Sequence, residues 1–114
     1  DIPKGKKVTN DIYLQDIIAT SLEIAAVDNP DYVAFNSFLD QATGATTAGN
    51  YKEIYGAYIK FQRMIRKDGY KLIVYPRLNK LLLFDLNNDP EEMNDLSTIN
   101  TENMFVNRMH LQVM

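Results

Sequence analysis

The chain has no cysteine. A disulfide framework, a thiolate metal site and a thiol nucleophile are therefore all excluded, while the redox compartment stays unread and a secreted origin stays open. No apolar run approaches the roughly 18 residues that a membrane-spanning helix needs. There is one histidine, His110, with no clustered carboxylates beside it. A lone histidine on a helical segment is far more often a surface or packing residue than a ligand or base. The chain opens at Asp1, with neither an initiator methionine nor an apolar leader, which predicts a cut or processed start.

Positive charge is missing over long stretches. Residues 8–51 carry six acids and no Lys or Arg, residues 52–82 carry eight Lys or Arg against two acids, and residues 83–96 carry five acids and no base, for a net charge of −3. The basic block either faces an anionic substrate or pairs with its acidic flanks. The second reading is favoured, because charges on sheet faces usually sit in water or in weak ion pairs. The acidic overall balance, with no recognised reader motif, argues against a nucleic-acid partner.

What is present suffices for one domain of 114 residues, with 46% hydrophobic and 11% aromatic residues to fill a core. The organising stretch is Tyr55 to Leu96. Tyr55, Ala57, Ile59, Phe61, Arg63 and Ile65 alternate with Gly56, Tyr58, Lys60, Gln62, Met64 and Arg66, the period of one long strand with an apolar side. Lys67-Asp68-Gly69 signals a hairpin, since Gly69 can take a positive φ. Tyr70–Tyr75 follows as a second strand, Pro76-Arg77-Leu78-Asn79 as a turn, and residues 80–86 as a third strand apolar enough to be covered on both faces.

Upstream, residues 1–7 read as a linker, and residues 8–15 as extended. Asp16 is expected to cap a helix whose inward face holds Ile17, Ile18, Leu22, Ala25 and Ala26. Asp28-Asn29-Pro30 is expected to end it. Residues 32–39 read as a short helix or a tucked loop, and residues 40–50 as an exposed, flexible loop. Downstream, Asp89-Pro90-Glu91-Glu92 has the cap, proline and acids of a helix start. Asn100 or Thr101 caps a C-terminal helix that carries Phe105, Val106, Met109 and Val113. The fold class predicted is α+β: an antiparallel meander of three to four strands packed against one main helix, plus a C-terminal helix, as a single domain.

Three ordered pieces resemble the carboxyl-terminal region of the sulfatases, within the alkaline-phosphatase-like superfamily. Asp16-Ile-Ile-Ala-Thr20, with Leu22, Ile24, Ala25-Ala26-Val27 and Pro30, is similar to the family's Asp-x-x-Pro-Thr helix, its Ala-Gly-Ile and its proline. Arg63-Met-Ile-Arg66 with Tyr70-Lys71-Leu72-Ile73 resembles the Arg-x-x-Arg strand and its return strand. Leu83-Phe84-Asp85-Leu86, Asp89-Pro90-Glu91-Glu92 and Asn94-Asp95-Leu96 resemble the signature that closes the region. Ala19 stands for the usual proline, Ala26 for the usual glycine and Phe84 for the usual tyrosine.

The resemblance implies a sulfuric ester hydrolase that uses formylglycine, made from a Cys/Ser-x-Pro-x-Arg motif, and calcium, in a parent that is exported or periplasmic. None of the three serines, Ser21, Ser37 and Ser97, has Pro and Arg at those offsets. The chain is therefore expected to be a subdomain without a catalytic residue. Its partner would be a missing N-terminal catalytic domain, with self-association through an exposed edge or patch. Asp85-x-Asn87-x-Asp89 begins like a calcium loop, but Pro90 and Leu96 stand where that loop needs glycine and glutamate, so no metal is assigned. Arg63, Arg66 and Lys71 are the candidates for touching an anionic substrate, against their plainer reading as cross-strand charges. A free-standing α+β binding module is the alternative, as is the same subdomain from a phosphodiesterase or phosphonate hydrolase.

Overall fold

The computed structural model describes residues 2–97, and the chain falls into two compact units, Asp1–Lys52 and the part that begins at Glu53. In the first unit, α1 spans Asp16–Ile24 and α2 spans Leu39–Thr43. Residues 8–15 form no strand. They lead into a tight turn in which the amides of Asp16, Ile17 and Ile18 donate to the carbonyls of Tyr13, Leu14 and Gln15. Asp16 is thus not the cap outside the helix that its position suggested. It is the first residue of α1, and its Oδ2 reaches back to accept the Tyr13 amide at 2.8 Å. A short carboxylate inside the opening turn can return to the residue three before it, as in the second half of a capping box.

The end of α1 also departs from expectation. Ala26 takes φ +55°, and the amides of Val27 and Ala26 donate to the carbonyls of Leu22 and Glu23 at 2.9 and 3.0 Å. This is a Schellman ending, which satisfies the last carbonyls before Pro30 is reached. The buried face is turned as well. Asp16, Ala19 and Thr20 are buried, whereas Ile17 and Ile18 are 47% and 53% exposed. Helical spacing offered both stripes, and the chain's own hydrogen bonds chose the polar one. Residues 40–43, expected as part of an exposed loop, belong to α2, which ends on Gly44 at φ +93°.

The second unit is an antiparallel meander in the order β1-β2-β3-β4, with β1 Glu53–Tyr58, β2 Gln62–Lys67, β3 Tyr70–Tyr75 and β4 Lys80–Asp85. The α+β class and the meander stand as predicted. The expected single strand from Tyr55 to Arg66 is instead a hairpin that turns at Ile59, whose φ is +47°. No Gly or Pro marks this turn, so its residues kept the alternation of a strand. The Arg63 guanidinium supports it, with Nη1 donating to the Ile59 and Gln62 carbonyls at 2.7 and 3.1 Å. At Asp68-Gly69 both φ angles are positive, 50° and 80°, the two-residue turn that matches strand twist.

Register sets Ile65, Leu72 and Leu83 across from one another. With Val74 they form the core cluster, joined by Tyr70, Leu81 and Leu96. Ile73 and Phe84 are buried on the opposite face, so β3 and β4 carry apolar residues on both sides, as their continuous hydrophobic runs imply. Residues 89–92 make a turn rather than a helix, closed by the Glu92 amide on the Asp89 carbonyl at 3.1 Å. The expected C-terminal helix, with His110, lies outside the described residues.

Two backbone substitutions test these turns in opposite directions. Ala26→Gly removes the cost of a left-handed alanine and should raise stability by about 0.5–1 kcal/mol. Gly69→Ala should lower it by about 2 kcal/mol or more, because a Cβ there combines φ +80° with a clash against the Asn87 side chain. Urea unfolding monitored by circular dichroism reads both.

Candidate functional site

The first unit is held by a carboxylate. Asp16 has no exposed surface, and its oxygens accept three donors: the Tyr13 amide, the Asn36 amide at 3.3 Å and the Tyr51 hydroxyl at 2.6 Å. One turn along α1, Thr20 donates to the Asp16 carbonyl at 2.8 Å and accepts the Phe38 amide at 3.1 Å. Two helix side chains four residues apart thus grip alternate amides of the segment 36–38. Alternate amides of an extended chain point the same way, so an i, i+4 pair on a helix fits them. Tyr51 stacks edge-on to Tyr13 with centroids 4.9 Å apart. Burial pushes the Tyr51 hydroxyl above its ordinary value, and its bond to Asp16 pushes the same way.

Beside this network lies a cleft of about 320 Å³, lined by Ala19, Glu23, Asp28, Phe35, Asn36 and Ser37 among others. The Gln41 amide donates to Asn50 Oδ1 at 2.9 Å, and Asn50 donates to the Ser37 carbonyl at 2.8 Å. Sequence reasoning passed over Tyr51, Asn36 and Gln41. The readable signal was Asp16 with Thr20, a polar pair at helical spacing inside an apolar helix.

The three basic candidates of the second unit are not brought together. Arg66 and Lys71 are cross-strand partners on one face of the sheet, whereas Arg63 lies on the other face with Ile65 and supports the Ile59 turn. Lys71 donates to both oxygens of Glu92, at 2.7 and 2.8 Å. A hollow of about 260 Å³ opens on the Lys71 face, over Gly56, Tyr58, Gln62 and Met64.

The Asp85–Asp95 segment directs its carboxylates at main-chain amides. Asp85 accepts the amides of Asn87 and Asn88, Asp89 those of Met93 and Asn94, and Asp95 those of Leu83 and Ser97. Asp89 therefore caps a turn and not the helix start foreseen for it. The Asn88 side chain lowers the Asp85 carboxyl, and the Met93 amide lowers that of Asp89 despite the charge of Asp85 nearby. For Asp95, burial works against the charge, yet the Ser97 and Leu83 amides outweigh it. Among the described residues, no group of three or more His, Asp or Glu side chains is arranged to hold a metal ion.

Two measurements test these networks. Asp16→Asn should destabilise the chain by about 2–4 kcal/mol and Tyr51→Phe by about 1–2 kcal/mol, with a coupling of at least about 0.5 kcal/mol in the double-mutant cycle; additive losses would show that the two do not act as a pair. In acid, the three depressed aspartates contribute stability above the ordinary value of 3.8. That contribution is lost as the pH falls through their lower folded values. Urea midpoints between pH 6 and pH 2 should therefore fall, and fall less steeply in the triple variant D85N/D89N/D95N.

Comparison with known proteins agrees with this architecture. The family model described as N-sulphoglucosamine sulphohydrolase, C-terminal, matches residues 1–114. No curated protein matches the chain. Among solved structures, a candidate sulfatase from Bacteroides thetaiotaomicron VPI-5482 is 22% identical, with a TM-score of 0.76 over 97% of this chain and 26% of that one. A 2-O GAG sulfatase is 22% identical, with a TM-score of 0.67 over 85% of this chain and 23% of that one. A third protein, solved with its substrate D-glucosamine-2-N,6-O-disulfate, is 22% identical, with a TM-score of 0.63 over 85% and 23%. At these identities the likeness is one of fold, and the chain spans about a quarter of the length of the structures it matches. The match over the whole chain settles its kinship: it belongs to the family of N-sulphoglucosamine sulphohydrolase C-terminal domains.

Proposed function

We propose that this chain is the non-catalytic C-terminal subdomain of a longer sulfuric ester hydrolase, in which it completes the fold and borders the substrate cleft. The observation that carries the reading is the family match over all 114 residues, joined to coverage of only a quarter of the similar solved chains. Formylglycine and calcium, on this reading, belong to the remaining three quarters. Among the described residues, the carboxylates that begin like a calcium loop, Asp85 and Asp89, do not fit the metal, since they accept main-chain amides. Arg66 and Lys71 are the side chains proposed to border an anionic substrate, with Lys71 held in place by Glu92. Sulfated sugars are the proposed substrate class, in line with what two of the similar structures are said to act on.

The partner proposed is the catalytic domain, and α1 offers it a surface. Ile17, Ile18 and Ile24 are aliphatic, exposed and free of charge, the chemistry of a protein interface core rather than of a wet ligand site. Exchanging Ile17 and Ile18 for Asp should leave the urea stability of the 114-residue chain within about 0.5 kcal/mol, as for exposed positions. The same pair of changes in the parent-length enzyme should abolish soluble, active protein. Equal, small effects in both contexts would remove this interface. Reading the coding sequence upstream of Asp1 tests the wider proposal, which requires a Cys/Ser-x-Pro-x-Arg motif there; an open reading frame that starts beside Asp1 would overturn it.

A further inference from the structure

Asp68-Gly69 is the one Asp-Gly step in the sequence. It forms the tip of the β2–β3 hairpin, with Asp68 exposed and φ angles of +50° and +80°. The other described aspartates of this unit are engaged. Asp85, Asp89 and Asp95 accept main-chain amides, and the nitrogen that follows Asp89 belongs to Pro90 and carries no hydrogen. The Asp68 carboxylate makes no hydrogen bond or ion pair to a described residue, and its neighbour Lys67 is held by Glu53 at 2.6 Å. The peptide unit that joins the two residues is equally unrestrained. The Gly69 carbonyl accepts the Leu86 amide at 2.8 Å, but neither the Asp68 carbonyl nor the Gly69 amide is bonded to a described residue.

We infer that this tip is a site of spontaneous covalent modification, at which Asp68 converts to isoaspartate through a cyclic imide. The Gly69 nitrogen attacks Cγ of the protonated Asp68 carboxyl. The new N–C bond forms as the C–OH bond breaks, and the hydroxyl leaves with the amide proton as water. Water then opens the five-membered ring at either carbonyl. Opening at the main-chain carbonyl leaves the backbone running through Cβ and Cγ, one methylene longer and unchanged in mass. Glycine permits the attack because no side chain shields its nitrogen. The fold also resists any other residue there, since Gly69 needs its positive φ and the Asn87 side chain fills the place of a Cβ. A two-residue turn fixes strand register. An added methylene at the tip therefore disturbs the Lys67↔Tyr70 pair and, further along the strands, Ile65 opposite Leu72 in the core. The hairpin carries its own clock. The inference does not rest on the role as a sulfatase subdomain, because the chemistry needs only this turn and water.

The test is prolonged incubation of the folded 114-residue chain in warm neutral buffer, then labelling with isoaspartyl methyltransferase and radioactive S-adenosylmethionine, and peptide mapping. Label should gather in the peptide that holds residue 68, at unchanged mass and at least about tenfold faster than at any other aspartate. Deamidation of an asparagine is told apart by its change in mass. Asp68→Glu keeps the charge but would need a six-membered ring, and should carry no label there; Asp68→Ser replaces it if circular dichroism shows it unfolded. Asp68→Asn suits the same turn and expels ammonia instead of water, so it should gain label faster than the parent chain. The modified chain, separated by chromatography, should unfold at a lower urea midpoint than the unmodified one. No label at residue 68, label spread evenly over the aspartates, equal label in Asp68→Glu, or an unchanged urea midpoint in the modified chain would each overturn the proposal.

Discussion

Burying a carboxylate is among the costlier acts a small fold performs, because charge leaves water for a medium that solvates it poorly. Asp16 meets that cost with three donors from segments far apart in the chain, at Tyr13, Asn36 and Tyr51. The arrangement of the first unit follows from them. Tyr51 is drawn to α1, the segment 36–38 is fixed by Asp16 and Thr20 together, and Asn50 ties back to Ser37. Few aliphatic side chains are buried in this unit, so directed polar bonds specify it where packing would specify a larger one.

The second unit rests on the opposite principle. Its center is a stack of aliphatic residues on paired strands, Ile65, Leu72, Val74 and Leu83, and its polar devices sit at the turns. Arg63, Asp85, Asp89 and Asp95 all spend their side chains on main-chain groups near chain reversals. That explains why a charged, motif-rich sequence from Arg63 to Leu96 yields turn supports. The carboxylate run that looked like the start of a cation loop is a set of turn anchors.

The sheet was legible in the sequence because alternation and the Asp68-Gly69 pair are local signals, and both were realised. The break at Ile59 was not, since its left-handed backbone is imposed by the hairpin and supported by Arg63 from the next strand. On α1 the period was legible and the phase was not. Two stripes had helical spacing, and only distant partners such as Tyr51 and Asn36 decide which one turns inward. The same limit applied to the site residues: Arg63, Arg66 and Lys71 share a charge and a stretch of sequence, but an odd spacing of three residues along β2 sets Arg63 and Arg66 on opposite faces.

The meander has a kinetic consequence. Among the described residues each strand pairs only with its neighbour in sequence, so these closures span short loops and little chain entropy is lost before the contacts reward it. The Asp16 bonds to Asn36 and Tyr51 span 20 and 35 residues. The sheet is therefore the early-forming part of this chain, and the carboxylate network closes late, with its donors waiting on the slower search.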